Sequence, residues 1–249
     1  MNLESIIGLG LVFLCAGLMF VFALPQVSRR VRTIRPMPAF QKLRRAIGVS
    51  VEQGLRLHIS LGRSSINSPT GASALAGLGM LERIARSSSL SDRPPVATSG
   101  DGTLSILSQD TLRAGYRLSN ALELYDPDRG RLAGPTPMSY VAGTLPVTYG
   151  ENVSTHLMIG NFGPEVALLA EAAEQQGALT VAASDSLPAQ AVLYAASQEP
   201  LIGEELFAVP AYLQAGAMHQ ASLRAQDVLR WLLIVGLVGG AILTLVGVL

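Results

Sequence analysis

The sequence is poor in the side chains that build thiolate clusters, nucleotide loops and charged surfaces. Cys15 is its one cysteine, so a disulfide within the chain is excluded and a thiolate metal cluster is not expected. Lys42 is its one lysine, and the G-x-x-x-x-G-K-[ST] pattern of a P-loop is missing. Charged residues make up 14% of the chain, against about 25% in typical domains. This deficit, together with a positive mean hydropathy, indicates a membrane protein.

Two uncharged, apolar segments, residues 5–28 and 231–249, account for the deficit. Each is predicted to be a transmembrane helix, because about 20 apolar residues cross the hydrocarbon core. Trp231 stands where an interfacial aromatic anchor is expected. The first segment is interpreted as a retained anchor rather than a cleaved signal peptide. The preceding MNLES has no positive charge, and no clear A-x-A site follows the segment.

The distribution of arginine predicts how the chain is oriented. Residues 29–45 carry seven basic side chains and no acidic one. The positive-inside rule therefore predicts a cytoplasmic central domain and both termini outside the cell membrane. We expect a basic linker with an amphipathic helix at 29–54, a domain at 55–215, and a helix at 216–249 that leads into the second span. The amphipathic helix could lie on the membrane or pack on the domain. The basic residues that set the orientation are Arg29, Arg30, Arg32 and Arg35.

Strand patterns alternate with helix patterns through the central domain, which predicts an α/β, Rossmann-like fold with a mainly parallel sheet. The run HISLG at 58–62 resembles HLMIG at 156–160, and VATS at 96–99 resembles VAAS at 181–184. Two related β-α-β-α halves would explain this echo. The pattern also predicts a loop over 125–137 and a strand over 138–147.

The zero net charge hides a division between two parts of the chain. Residues 29–131 carry 16 basic and 8 acidic side chains, whereas residues 132–223 carry 8 acidic side chains and no basic one. Opposite surfaces on successive subunits would favour a head-to-tail contact that can close a ring. Alternatively, the two parts face each other within one domain.

The stretch HLMIGNFGPE, residues 156–165, reads as a strand, a glycine turn and a helix start, as many phosphate sites do. Glu165 in the first helical turn and the absence of nearby cations argue against an anion there. The corresponding loop of the first half, residues 62–71, is the better candidate for a small ligand, because such loops follow the carboxyl ends of strands. The alternative role of its hydroxyls is helix capping. The candidate residues are Arg63, Ser64, Ser65 and Thr70.

Other chemical signatures are weak. His58, His156 and His219 lack metal spacing, and His58 and His156 are expected to be a structural pair if they approach each other. The Asp126–Gly130 run is interpreted as a turn rather than a calcium loop. A serine nucleophile has no G-x-S-x-G context. We therefore expect no cofactor, no metal and no catalytic activity. Nucleic-acid binding is disfavoured because aromatic residues are few and the second half is acidic.

These observations favour a membrane-anchored, non-catalytic scaffold. Its expected partners are the lipid bilayer, further copies of itself and possible subunits of a larger membrane complex. Gly236 and Gly240 form a G-x-x-x-G pair that would let membrane helices approach closely. Two alternatives stay open: a membrane-tethered ligand-binding or sensory module that uses residues 62–71, and a membrane-tethered hydrolase.

Overall fold

The computed structural model describes residues 3–24, 36–213 and 216–245. These residues form two compact units, one containing the first and last helices and the other containing every element between them. The elements in chain order are α1 (Leu3–Ala23), α2 (Pro38–Glu52), β1 (Arg56–Gly62), α3 (Gly71–Ser88), β2 (Val96–Ser99), α4 (Gly102–Leu118), two 3₁₀ turns (Leu122–Leu124 and Pro127–Arg129), β3 (Gly130–Leu132), α5 (Pro137–Gly150), β4 (Val153–Asn161), α6 (Val166–Gln175), β5 (Leu179–Ser184), α7 (Leu187–Ala196), β6 (Glu199–Leu201), α8 (Glu205–Tyr212) and α9 (Ala217–Leu245).

The central unit is built on a six-stranded sheet in which every neighbouring pair is parallel, with the order β3-β2-β1-β4-β5-β6. The strand order therefore reverses between β1 and β4, as it does in the Rossmann arrangement. The prediction of a Rossmann-like, mainly parallel α/β fold is confirmed.

One face of the sheet carries the main apolar core. Leu57, Ile59 and Leu61 of β1 alternate toward this face and join Leu157 and Ile159 of β4 in one buried cluster. Helices α2, α3, α4 and α8 contribute buried residues to the same cluster. Phe40 and Leu43 are among them, so α2 packs on the domain, which was one of the two predicted alternatives.

The opposite face has a smaller apolar cluster beneath α5, α6 and α7. Met158 of β4 and Ala182 of β5 pack there against Tyr140, Leu169 and Leu193. Near the sheet centre, this face carries polar side chains instead, including His58, Ser60 and His156. The two sides of the sheet thus differ in kind: one is a hydrocarbon core and the other includes a buried polar layer.

The two halves repeat the same order of elements, β-α-β-α-β-α. The first two helices of the first half, α3 and α4, pack on the apolar face, whereas α6 and α7 of the second half pack on the other. The third helix of each half packs beside the helices of the other half: α5 contacts α6, and α8 contacts α3. His58 and His156 are register partners, and both point toward the face beneath α5. His58 therefore points away from α3, and His156 toward the layer of α6. The echoed histidines do not occupy equivalent positions of the two halves.

The predicted strand over 138–147 is wrong, because these residues belong to α5. Its β-branched residues are typical of a strand and the internal Pro146 disfavours a helix, but the start of the helix is strongly determined. Thr136 and Ser139 form a reciprocal capping box, and Pro137 occupies the first turn. The predicted loop over 125–137 contains the short edge strand β3.

Among the described residues of this unit, four ion pairs join the basic part of the chain to the acidic part. They are Lys42–Glu199, Arg56–Glu151, Arg131–Glu151 and Arg63–Glu165. These pairs fit the predicted alternative in which the two parts of the chain face each other within one domain. Glu171 and Glu174 on the outer side of α6 are exposed and form no ion pair among the described residues.

The other unit pairs α1 with α9, and both helices are long and apolar enough to cross a membrane. α9 runs unbroken from Ala217 through Trp231 to Leu245. α1 ends at Ala23, before the predicted limit at residue 28. Residues 25–35 lie outside the described part of the chain, and with them Arg29, Arg30, Arg32 and Arg35.

Gly160→Ala tests how closely β1 and β4 must approach. A Cβ at Gly160 would overlap the Leu61 carbonyl, and backbone cannot yield as a flexible side chain can. We expect the free energy of unfolding to fall by about 1–3 kcal/mol, as for overpacked cores. The measurement is denaturation of the purified full chain followed by circular dichroism. Gly150→Ala is the matched control, since a Cβ there has open space. Equal stability of the two variants would contradict the close approach.

Candidate functional site

The crevice between the carboxyl ends of β1 and β4 is where ligands bind in open α/β sheets with this strand order. The loop after β1 begins at Gly62, whose φ of +76° lies in the left-handed region that favours glycine. The Arg63 N–H then donates to the Asn161 carbonyl at 3.0 Å. The loop predicted as a ligand site thus adjoins the HLMIGNFGPE turn directly.

Arg63 turns toward the second half. Its Nη2 lies 3.0 Å from Glu165 Oε1, and the same carboxylate oxygen accepts a hydrogen bond from the Gly163 N–H at 3.1 Å. The Glu165 side chain is 8% exposed and that of Arg63 is 22% exposed. A carboxylate of the chain itself therefore occupies the arginine and the backbone donor that an anionic ligand would use.

Ser64, Ser65 and Thr70 are drawn together by hydrogen bonds inside the loop. Ser64 Oγ donates to the Thr70 carbonyl at 2.7 Å, and Ser68 Oγ donates to the Ser65 carbonyl at 2.6 Å. Ser68 Oγ and Thr70 Oγ1 lie 2.9 Å apart. The hydroxyls of Ser64 and Thr70 thus shape the turn that leads into α3.

The aspartates at other strand ends also have structural partners. Asp101 after β2 accepts a hydrogen bond from the Leu104 N–H at 3.0 Å and caps α4. Asp185 after β5 accepts one from Asn161 Nδ2 at 2.6 Å. Asp126 accepts the Asp128 N–H at 3.0 Å, which is the turn expected there.

A buried polar cluster lies under α5 at the centre of the sheet. The rings of His58 and His156 have centroids 4.4 Å apart. His58 Nε2 lies 3.0 Å from Thr98 Oγ1, and His156 Nε2 lies 3.1 Å from Ser60 Oγ. The Tyr140 hydroxyl of α5 accepts the Gly62 N–H at 3.3 Å and donates to the Thr98 carbonyl at 3.3 Å. The two histidines thus approach each other, which was the condition for the predicted structural pair.

Burial keeps both imidazoles neutral, since it penalises the charged form. It lowers the pKa of His156 to about 3. Burial also lowers the pKa of His58 well below its usual value, and the neighbouring His156 lowers it further. The same burial raises the pKa of Tyr140. The cluster is therefore a set of neutral donors and acceptors at ordinary pH.

The Ser60–His156 contact lacks two features of a serine nucleophile. Both side chains are fully buried, so a substrate has no access to Ser60. Among the described residues, His156 Nδ1 has no hydrogen-bond partner, so no carboxylate orients the ring. The geometry fits a structural role that pins β1, β2 and β4 to α5.

The outer face of α7 is an exposed feature that sequence reasoning overlooked. Leu187 and Tyr194 are 77% and 72% exposed. Ala191 and Ala195 are exposed beside them, at helical spacing. None of the ten residues of α7 is charged. The sequence signal for this exposed face was the lack of charge along α7, because a surface helix normally carries a polar outer face.

The predicted membrane residues lie on α9. Trp231 is exposed in the isolated chain. A Cβ added at Gly236 or Gly240 meets no atom within 4 Å, so α1 does not press against either position. The close-packing surface that a G-x-x-x-G pair provides is therefore open along this helix.

The neutral histidines predict a pH-dependent stability. In the unfolded chain each imidazole titrates near 6.5, whereas folded His156 stays neutral down to about pH 3. The unfolded state binds more protons in this window, so the free energy of unfolding falls as the pH drops below about 6.5. The slope is at most about 1.4 kcal/mol per pH unit for each histidine.

Denaturation of the full chain between pH 7 and pH 5.5 measures this slope before carboxylates titrate. The double variant His58→Gln, His156→Gln should flatten it, and His219→Gln controls for removing a histidine elsewhere. An unchanged slope in the double variant would mean that other groups cause the pH dependence.

Comparison with known proteins gives a family but no function. No curated protein and no solved structure matches the chain. One family model, described as a domain of unknown function (DUF6754), matches residues 2–249 and so spans both apolar helices and the α/β domain. Because that match covers nearly the whole sequence, the chain belongs to the DUF6754 family.

Proposed function

We propose that this protein is a membrane-anchored, non-catalytic scaffold that assembles with copies of itself through its α/β domain and its membrane helices. The observation that carries the proposal is the exposed, charge-free outer face of α7, formed by Leu187, Ala191, Tyr194 and Ala195. Contiguous apolar surface on a soluble domain typically marks an interaction site.

The charges around this face favour a second copy as the occupant. α7 contacts α6, which exposes Glu171 and Glu174. The corresponding helix of the first half, α4, exposes Ile106, Asp110, Arg113 and Arg117 at helical spacing, with the arginines toward its C-terminal end. An apolar strip on a helix that contacts an acidic one would thus meet, on the next copy, a surface with one apolar residue, one acid and two arginines. Such a contact joins two different surfaces, so it is heterologous and closes a ring if the rotation permits.

The membrane helices support assembly independently. Gly236 and Gly240 leave α9 with an open small-residue surface on which another helix can pack closely. In lipid, helices gain no hydrophobic free energy when they associate, because the hydrocarbon tails are as apolar as the side chains. Their association therefore depends on such close packing. The bilayer and other subunits of a membrane complex are therefore proposed partners.

We place the α/β domain in the cytoplasm and both termini outside the plasma membrane. The support is the basic run at 29–45, which contains Arg29, Arg30, Arg32 and Arg35, because positive residues beside a span favour the cytoplasmic side.

The two other functions have less support. A ligand-binding or sensory module at residues 62–71 would need Arg63, which Glu165 already engages. A hydrolase would need an accessible nucleophile, and Ser60 beside His156 is fully buried.

Removing the apolar face of α7 should dissociate the assembly. We expect the full chain in mild detergent to form an oligomer by mass photometry, and Leu187→Ser, Tyr194→Ser to shift it toward the monomer. Leu90→Ser is the control, since Leu90 is equally exposed but lies outside α7. A monomeric wild-type chain would contradict the scaffold.

Charge reversal tests which surface α7 meets. Arg113→Glu with Arg117→Glu should also dissociate the oligomer, because acids would then face Glu171 and Glu174. Adding Glu171→Arg and Glu174→Arg should restore it. If the wild type forms an oligomer and neither set of substitutions alters it, the contact lies elsewhere in the chain.

The orientation predicts which side of the membrane exposes the domain. A cysteine placed at the exposed Ser87, with Cys15→Ala, should react with an impermeant maleimide in inverted vesicles only. Labelling in intact cells would instead place the domain outside.

A further inference from the structure

A groove of about 430 Å³ lies where α2 meets α3 in the central unit. One wall is a single face of α2, because Arg44, Ile47, Gly48 and Val51 follow helical spacing. Arg83 of α3 and Leu213, which follows α8, complete the main lining. The volume lies within the range of roughly 300–1,000 Å³ that is typical of small-molecule pockets.

The groove combines an apolar floor with positive charge. Ile47 and Val51 are half-buried, and Leu213 is buried. Arg83 forms no side-chain hydrogen bond or ion pair with any residue that the structure describes. Within the described part of the chain, Arg44 donates one hydrogen bond, from Nη2 to the Tyr212 carbonyl, and its other N–H groups have no partner there.

Glu52 is the one acid among the described residues that line the groove. It forms no ion pair with Arg44 or Arg83 among the described contacts, although all three line the same groove. This differs from the crevice between β1 and β4, where Glu165 engages Arg63. The groove therefore keeps two cationic side chains beside hydrocarbon.

We propose that this groove binds an amphipathic anion, with a phosphate or carboxylate head on Arg83 and Arg44 and a hydrocarbon chain on Ile47, Val51 and Leu213. Guanidinium groups match the geometry of both head groups. A free inorganic anion would leave the apolar floor unused, and a neutral apolar ligand would leave the arginines unused. An anionic membrane lipid and a soluble amphiphile share this chemistry. Binding in this groove does not require self-assembly.

Single substitutions can separate the effect of the charge of the groove on binding from the effect of its volume. Arg83→Gln removes a guanidinium that has no partner among the described residues, whereas Arg45→Gln removes the same charge from an exposed neighbour of Arg44 that is not part of the described lining. Gly48→Leu fills the apolar part without changing charge, since a Cβ at Gly48 has open space. Glu52→Gln removes the acid at the groove.

The test measures calorimetric binding of octyl phosphate to the full chain in phosphatidylcholine nanodiscs, with empty nanodiscs subtracted. We expect affinity to fall by about tenfold in Arg83→Gln, as for loss of a charged hydrogen bond. Gly48→Leu should weaken it similarly, Glu52→Gln should strengthen it, and Arg45→Gln should leave it unchanged. Inorganic phosphate and octanol should bind far more weakly than octyl phosphate.

Three results would overturn the proposal. The groove is not the site if Arg83→Gln binds like the wild type. General surface charge explains the binding if Arg45→Gln weakens it as much as Arg83→Gln does. An amphipathic ligand is not required if inorganic phosphate or octanol binds as tightly as octyl phosphate.

Nanodiscs containing phosphatidylglycerol distinguish the two sources of such a ligand. Competition with octyl phosphate that Arg83→Gln abolishes supports a membrane lipid. Octyl phosphate binding that persists undiminished supports a soluble amphiphile.

Discussion

The pairing of β1 with β4 joins the two halves of the sheet, and the rest of the central unit depends on it. Their backbones approach so closely that a side chain at Gly160 would overlap the Leu61 carbonyl. The register places His58 beside His156. The same pairing brings the loops after both strands to one edge, where Arg63 meets Glu165. It also obliges α5 and α8 to cross from one half to the other.

The two faces of this sheet bury different kinds of side chain. The face under α3 and α4 is hydrocarbon, and its stability comes from the area removed from water. The face under α5 buries hydroxyls and imidazoles, which cost free energy unless they are paired. Most of the pairing converges on Thr98 and Tyr140, so α5 has one position in which these bonds form. Apolar packing stabilises the contact between helices and sheet on one face, and hydrogen bonding fixes the position of α5 on the other.

The long strands and most helices were predictable because their apolar residues recur with a clear period. The edge strands β3 and β6 are three residues each, too short to show a period, and Pro200 in β6 argues against a strand. α5 was missed because the β-branched Val141 and Thr144 suggest a strand and Pro146 argues against a helix interior, whereas the capping residues at its start decide the outcome.

The candidate site was less predictable than the fold. Arg63 and Glu165 are 102 positions apart, so their contact follows only from the strand order. The division of charge along the chain was visible in the sequence, but which acids meet which arginines depends on that same order. The donors of the crevice are already assembled: the Arg63 guanidinium and the Gly163 N–H converge on one carboxylate. Exchange of Glu165 for a small neutral residue would therefore uncover a guanidinium and a backbone N–H that already point at one position, which is the arrangement of donors that an external anion needs.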